Sequence, residues 1–206
     1  MSTTGTPTRP PGPMRADARR NRELLLSAAL AAFTEYGADD VSLEEIARRA
    51  GVGIGTLYRH FPTRQELLES VYRDQVDALC ALAADLLDAP SPGDALGTWL
   101  RAMMAFSTTK RSLVTSMLAT MDKTSEIFSF CSTMILQSVE SLLVRAQQAG
   151  EIRRDVDATD VMRLSHAITV ATERAPGSPE QAERLLGLML DGLRAGVSHS
   201  SGGRFS

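Results

Sequence analysis

The residues best suited to chemistry stand in one short run, Gly53-Ile-Gly-Thr-Leu-Tyr-Arg-His60. Read as a helix, the run turns Gly55, Thr56, Tyr58, Arg59 and His60 to one solvent face. Thr56 can reach a phosphate or pack on a thymine methyl, Tyr58 and His60 can donate to phosphate oxygens, and Arg59 can pair with a guanine edge. Gly53 and Gly55 let a backbone approach a duplex at a helix N-terminus, whose partial positive charge favours phosphate. This is a set for recognition, not for bond breaking. The chain shows no glycine-rich phosphate loop, no metal-binding His pair and no nucleophile elbow. Cys131 lies in apolar surroundings with no readable base beside it, which predicts an inert thiol. No catalytic residue, cofactor or metal is expected.

Three elements must hold that run in place. Ser42-Leu-Glu-Glu45 is a capping box, with Ser42 accepting from the third amide and Glu45 reaching back to the Ser42 amide. The helix it starts is short, since Gly51 stops it after Ile46, Ala47 and Ala50 have marked a buried face. A turn of three to four residues leads to a second short helix over Ile54 to His60, which makes a helix-turn-helix. Small Ala47 permits a close crossing, and Ile46, Val52, Leu57 and Phe61 are spaced to fill the core beneath. A hairpin packed on a protein is the alternative reading of these elements. Ahead of them, Leu26, Ala29, Leu30 and Phe33 give a helix from Asp17 to Tyr36 an apolar face, and Gly37 ends it. Behind them, Thr63-Arg-Gln-Glu66 opens a long helix whose apolar face runs from Leu68 to Leu86, a rod of roughly 38 Å.

The remainder reads as helix too. Ser91-Pro-Gly-Asp94 starts a fifth helix, to about Ser107; a short one follows around Lys110 to Met121, and a longer one from about Ser125 to Ala149, stopped by Gly150. Asp157 and Ser178-Pro-Glu-Gln181 cap two more, giving an all-α chain of about nine helices. Four segments follow: a basic N-terminal arm over 1–16, a helix-turn-helix domain over 17–64, a helical domain over 65–198 and a disordered tail over 199–206. Residues 1–64 hold 9 Arg against 7 acidic residues, whereas the whole chain is at -3, so the basic excess is N-terminal. Arg9, Arg15, Arg19, Arg20 and Arg22 can touch phosphates or a minor groove, or can form a solvated tail. Two cysteines without metal-ligand spacing and the lack of a signal-type apolar core place the protein in the cytoplasm, with no membrane partner.

Gly51-Val-Gly-Ile-Gly-Thr-Leu-Tyr-Arg-His-Phe61 followed by Thr63-Arg-Gln-Glu-Leu67 resembles the TetR family of transcription regulators. The likeness is detailed over about 19–68. Beyond that it rests on length, helix count and the junction Gly150-Glu-Ile-Arg-Arg-Asp-Val156. It implies a homodimer on a double-stranded DNA operator, with three N-terminal helices for DNA and a C-terminal domain for ligand and dimer contacts. Carried over by position, Ser42 meets a phosphate, Thr56, Tyr58 and His60 contact backbone or bases, and Arg64, where the family usually has lysine, clamps a phosphate. Gly53 and Ile54 replace polar or basic residues common in the family, removing base contacts.

The resemblance also gives the soft middle of the chain a role. Trp99, Met103, Phe106, Met117, Met121, Phe128, Cys131 and Met134 become candidates for a pocket taking a small apolar or amphipathic effector, beside the plainer reading of a Met-lined core. Leu164, Ile168, Ala171, Leu185, Leu188, Met189 and Gly192 form the faces it assigns to a dimeric four-helix interface. His166 is read first as a structural histidine and second as a sensor of ligand or pH. The function expected is that of a ligand-released repressor, with a helix-turn-helix adaptor that binds only protein as the competing reading.

Overall fold

The computed structural model describes the backbone of residues 13–120, 126–172 and 178–194, and the side chains of 16–107, 126–172 and 179–194. Eight helices make up the described residues: α1 (Pro13–Tyr36), α2 (Leu43–Arg49), α3 (Ile54–His60), α4 (Arg64–Leu86), α5 (Pro92–Thr120), α6 (Glu126–Gln148), α7 (Ala158–Thr172) and α8 (Ser178–Leu193). The only β pairing among them is an isolated bridge between Ile152 and Arg194. The fold is all-α, with one helix fewer than expected. The expected fifth and sixth helices are one, because α5 runs unbroken past Ser107. Ser-Thr-Thr at 107–109 lowers helix propensity but brings no proline or glycine to stop the backbone, which leaves the packing of α5 to carry the helix through it. Likewise α1 begins at Pro13, not Asp17, since a proline in the first turn is preset for helix and Met, Arg and Ala extend it. Residues 1–12 of the expected arm and the whole expected tail lie outside the described residues.

The chain divides into two compact units, Met1–Val71 and Tyr72–Ser206, and the division falls inside α4. In the first unit α1 lies against α2 and α3. Its core is Leu25, Leu26, Ala29, Phe33, Val41, Ile46, Leu57, Phe61 and Leu67, all buried. Gly37 and Gly51, with φ of 89° and 68°, end α1 and α2 in the left-handed region that only glycine adopts without strain.

In the second unit α5 packs on α6, α7 and α8, and α7 packs on both α6 and α8. Its ends are tied by side chains distant in sequence. The Glu151 carboxylate accepts from the Gly93 amide at 2.7 Å and the Ser91 hydroxyl at 3.3 Å, so Glu151 helps to cap the N-terminus of α5 from across the unit. Arg145 of α6 donates to the Ala89 carbonyl at 2.5 Å just beyond α4. By length and composition α6 passes for a membrane span. Here Ile127, Cys131, Ile135, Val139, Leu142, Leu143 and Ala146 form a buried stripe along it, the pattern of a core helix.

Candidate nucleic-acid interface and effector cleft

Local chemistry builds the helix-turn-helix. Ser42 takes an extended conformation (φ -78°, ψ 155°) and its hydroxyl accepts from the Glu45 amide at 3.2 Å, so the expected cap is formed. Its second half is not: the Glu45 carboxylate turns outward to Arg48 and Arg49, at 2.7 and 2.8 Å. Arg49 bridges on to Glu35 of α1 at 2.8 Å and lies 5.0 Å from the Tyr36 ring, which fastens α2 to α1. At the turn the Val52 amide donates to the Ala47 carbonyl at 3.0 Å and the Gly51 amide to Arg48 at 3.2 Å, the hydrogen bonds of a left-handed helix stop.

The hydrogen bonds from Arg48, then Arg49, hold the Glu45 carboxyl down at about 2, against 4.5 for the free group. A folded-state pKa below the unfolded one stabilises the fold above the unfolded value, with the contribution lost as pH falls through the folded one. The clamp on α2 should therefore be complete above about pH 4.5 and fail only near pH 2. Carbon-detected NMR titration of the Glu45 carboxyl should give a midpoint well under that of an exposed glutamate. A midpoint near 4.5 would show that the clamp does not form in solution.

On α3 only Leu57 points inward; it is fully buried. Tyr58 is 45% exposed and Ile54 38%, Arg59 is exposed, and Thr56 and His60 are half-buried. Added side-chain carbons at Gly53 and Gly55 would meet nothing within 4 Å. Neither glycine has a positive φ, so packing and conformation alike leave both positions open to other residues. Arg59 carries no ion pair among the described residues, whereas Arg48 pairs with Glu45 and Arg49 with Glu45 and Glu35.

Arg64, expected to clamp a phosphate, makes contacts within the fold. Half-buried, it lies 5.8 Å from the Phe33 ring and donates to the carbonyls of Val41, at 2.6 Å, and Ala38. Its guanidinium thus holds the segment that ends in the cap residue Ser42.

In the second unit the proposed pocket residues separate. Trp99 is fully buried and donates through Nε1 to the Leu79 carbonyl at 2.9 Å. Tyr72 gathers Phe106 and Phe128 at 6.0 and 5.5 Å between ring centroids. Burial, with a smaller effect from Cys131, pushes the Tyr72 phenol up to about 12. Cys131 is buried and Met134 faces a shallow groove with Cys80 and Leu87. The Met117 side chain and all of Met121 lie outside the described residues.

Of the six pocket candidates whose side chains are described, only Met103 lines the larger cleft, about 490 Å³, between α5, α6 and α7. Met104, Leu136 and Met162 supply further apolar wall, and Arg163 and His166 stand with it from α7. Apart from His166, whose role as a ligand or pH sensor was the second reading after that of a structural histidine, the α7 contribution escaped sequence reading; His166 is exposed. Of the residues read as dimer faces, Leu164 and Leu188 are 49% and 60% exposed, Ala171 and Gly192 are exposed, and Ile168, Leu185 and Met189 are half-buried.

Comparison with known proteins accounts for both units. Residues 25–71 match the model of bacterial regulatory proteins of the tetR family, and residues 91–195 match that of the C-terminal domain of SbtR-like transcriptional regulators. The TetR transcriptional regulator SCO0520 of Streptomyces coelicolor is 39% identical, with a TM-score of 0.75 over 84% of this chain and 98% of that one. A TetR transcription regulatory protein of Mycobacterium vanbaalenii is 36% identical, with a TM-score of 0.74 over 88% and 99%. An HTH-type transcriptional regulator of Staphylococcus aureus (strain USA300) is 39% identical over 64 residues, which are 31% of this chain and only 35% of that protein. With a helix-turn-helix in its first unit and relatives alike along nearly their whole length, the chain belongs to the TetR family of bacterial transcription regulators.

Proposed function

We propose that this regulator is a cytoplasmic repressor that binds a palindromic operator as a homodimer and is released by a small effector in the second unit. The observation that carries the DNA half is the outward face of α3, where two uncovered glycines stand beside exposed Tyr58 and Arg59. Thr56, Tyr58 and His60 contact phosphates or bases, Arg59 reads a base edge, and a two-fold dimer spaces its recognition helices about 34 to 36 Å apart. Exposed Ile54 suits a thymine methyl. Arg64 acts indirectly, by setting the position of Ser42 against the backbone. The effector half rests on the cleft of about 490 Å³, a size ordinary for small-molecule sites. Because α4 is one helix across both units, it is the element whose movement would transmit occupancy. Effector and operator then disfavour each other by a shared coupling, typically about 1 to 3 kcal/mol.

Selection from random DNA followed by salt titration of the purified protein tests this reading. The wild type should prefer a palindrome with a steep salt dependence. Tyr58→Ala should weaken it by about 1 to 3 kcal/mol with the unfolding midpoint unchanged. Arg64→Ala should weaken binding and lower that midpoint as well, since it leaves the Val41 and Ala38 carbonyls without their donor. Equal binding of the wild type to every sequence would reject the operator reading.

A further inference from the structure

The walls of the α5–α6–α7 cleft divide by chemistry. Its apolar side is Met103, Met104, Leu136 and Met162, and among the described residues no Asp or Glu lines it. The two buried hydroxyls on its wall are turned inward to their own helix: Ser165 donates to the Val161 carbonyl at 2.8 Å and Thr169 to that of Ser165 at 3.0 Å. With their protons committed, these two groups can only accept and give an anion no donor; the other two hydroxyls of the cleft are on half-buried Ser107 and exposed Thr159.

The exposed side differs. Arg163 and His166 are three residues apart on α7, which puts them on one face of the helix, and both are exposed where they line the cleft. Neither makes an ion pair or hydrogen bond among the described residues. In the same unit Arg101 pairs with Glu183, Arg153 with Asp155 and Arg194 with Asp191, while Arg145 caps carbonyls. The cleft therefore keeps an uncommitted guanidinium, a group that matches a carboxylate with two parallel hydrogen bonds.

We propose that the ligand of this cleft is an amphipathic organic anion, its apolar body against Met103, Met104 and Leu136 and its acidic group at Arg163 and His166. The inference rests on the reading of the cleft as the effector site. Full-length protein is titrated by calorimetry with three probes of one chain length: decanoate, 1-decanol and decyltrimethylammonium. Decanoate should bind at least about tenfold tighter than 1-decanol, corresponding to about 1.4 kcal/mol for one charge-assisted contact, and the cation should bind more weakly than the alcohol. Arg163→Gln should bring acid and alcohol to within about twofold while leaving the alcohol unchanged. Leu136→Trp, which fills the half-exposed wall, should weaken all probes. Equal binding of acid and alcohol by the wild type, or a preference that survives Arg163→Gln, overturns the anionic class and leaves the cleft standing. Absence of binding by every probe, or binding untouched by Leu136→Trp, overturns the cleft and the ligand class together.

Discussion

Trp99→Ala should lower the stability of the second unit by about 3–5 kcal/mol, enough to leave it largely unfolded at ambient temperature if its total stability lies at the low end of the usual range. The side chain is fully buried on α5, and its Nε1 reaches back to the Leu79 carbonyl of α4 at 2.9 Å. Truncation leaves a cavity the size of an indole ring in a wall made by two helices, neither of which can collapse inward without breaking its own ladder. Trp99→Phe retains most of the volume and gives up the hydrogen bond, with a net cost nearer about 1 kcal/mol from that bond alone. This is the chain's only tryptophan, so unfolding must be followed by far-ultraviolet circular dichroism and not by intrinsic fluorescence. At about 2 kcal/mol per molar for urea, the alanine variant should lose about 2 M from its midpoint. A loss under about 0.3 M would mean that the indole contributes little to the packing around α5.

The combined substitution Leu164→Glu and Leu188→Glu should turn the proposed dimer into a monomer and reduce operator affinity by about 100-fold or more. Both side chains are large, apolar and about half exposed or more, on α7 and α8, two helices that pack on each other. Ala171 and Gly192 beside them are small enough for close approach of a second helix pair. Because neither leucine supports the core, the charges should change monomer stability by no more than about 0.5 kcal/mol each. The binding loss comes from connectivity: two recognition helices on one body act at a high effective concentration, worth about 10²- to 10⁴-fold over a single one. Sedimentation equilibrium and operator titration on the same sample separate the effects. A variant that stays dimeric places the interface on another face; one that is monomeric yet binds the palindrome at full affinity removes the need for a dimer.

What the residue order by itself determined is what depends on near neighbours. The cap at Ser42, the glycine stops at 37 and 51 and the single inward Leu57 of α3 concern residues within five positions of one another, and all stand as read. The helix-turn-helix was legible because its geometry is almost wholly local. The same reasoning overcounted helices at 107–109, where weak propensity marks a possible break and only the packing of α5 on α6, α7 and α8 decides that none occurs. It also gave Glu45 to the Ser42 amide, since competition from Arg48 and Arg49 depends on rotamers and on the Glu35 that α1 brings alongside.

Tertiary structure alone decided the rest. An arginine at 64 has the same chemistry for a phosphate as for a carbonyl, and only the fold sets Phe33, Ala38 and Val41 around it, more than 20 residues away in sequence. The cleft is the strongest case. A Met-rich composition marks soft core without telling which side chains share a wall. Thr159, Met162 and His166 join Met103 there, while Met134 turns to a different groove. Helix faces can be read from a period of 3.6 residues, but the face each helix presents to a partner 60 residues distant is set by how all the ridges pack at once. That is a property of the assembled unit and of no single segment in it.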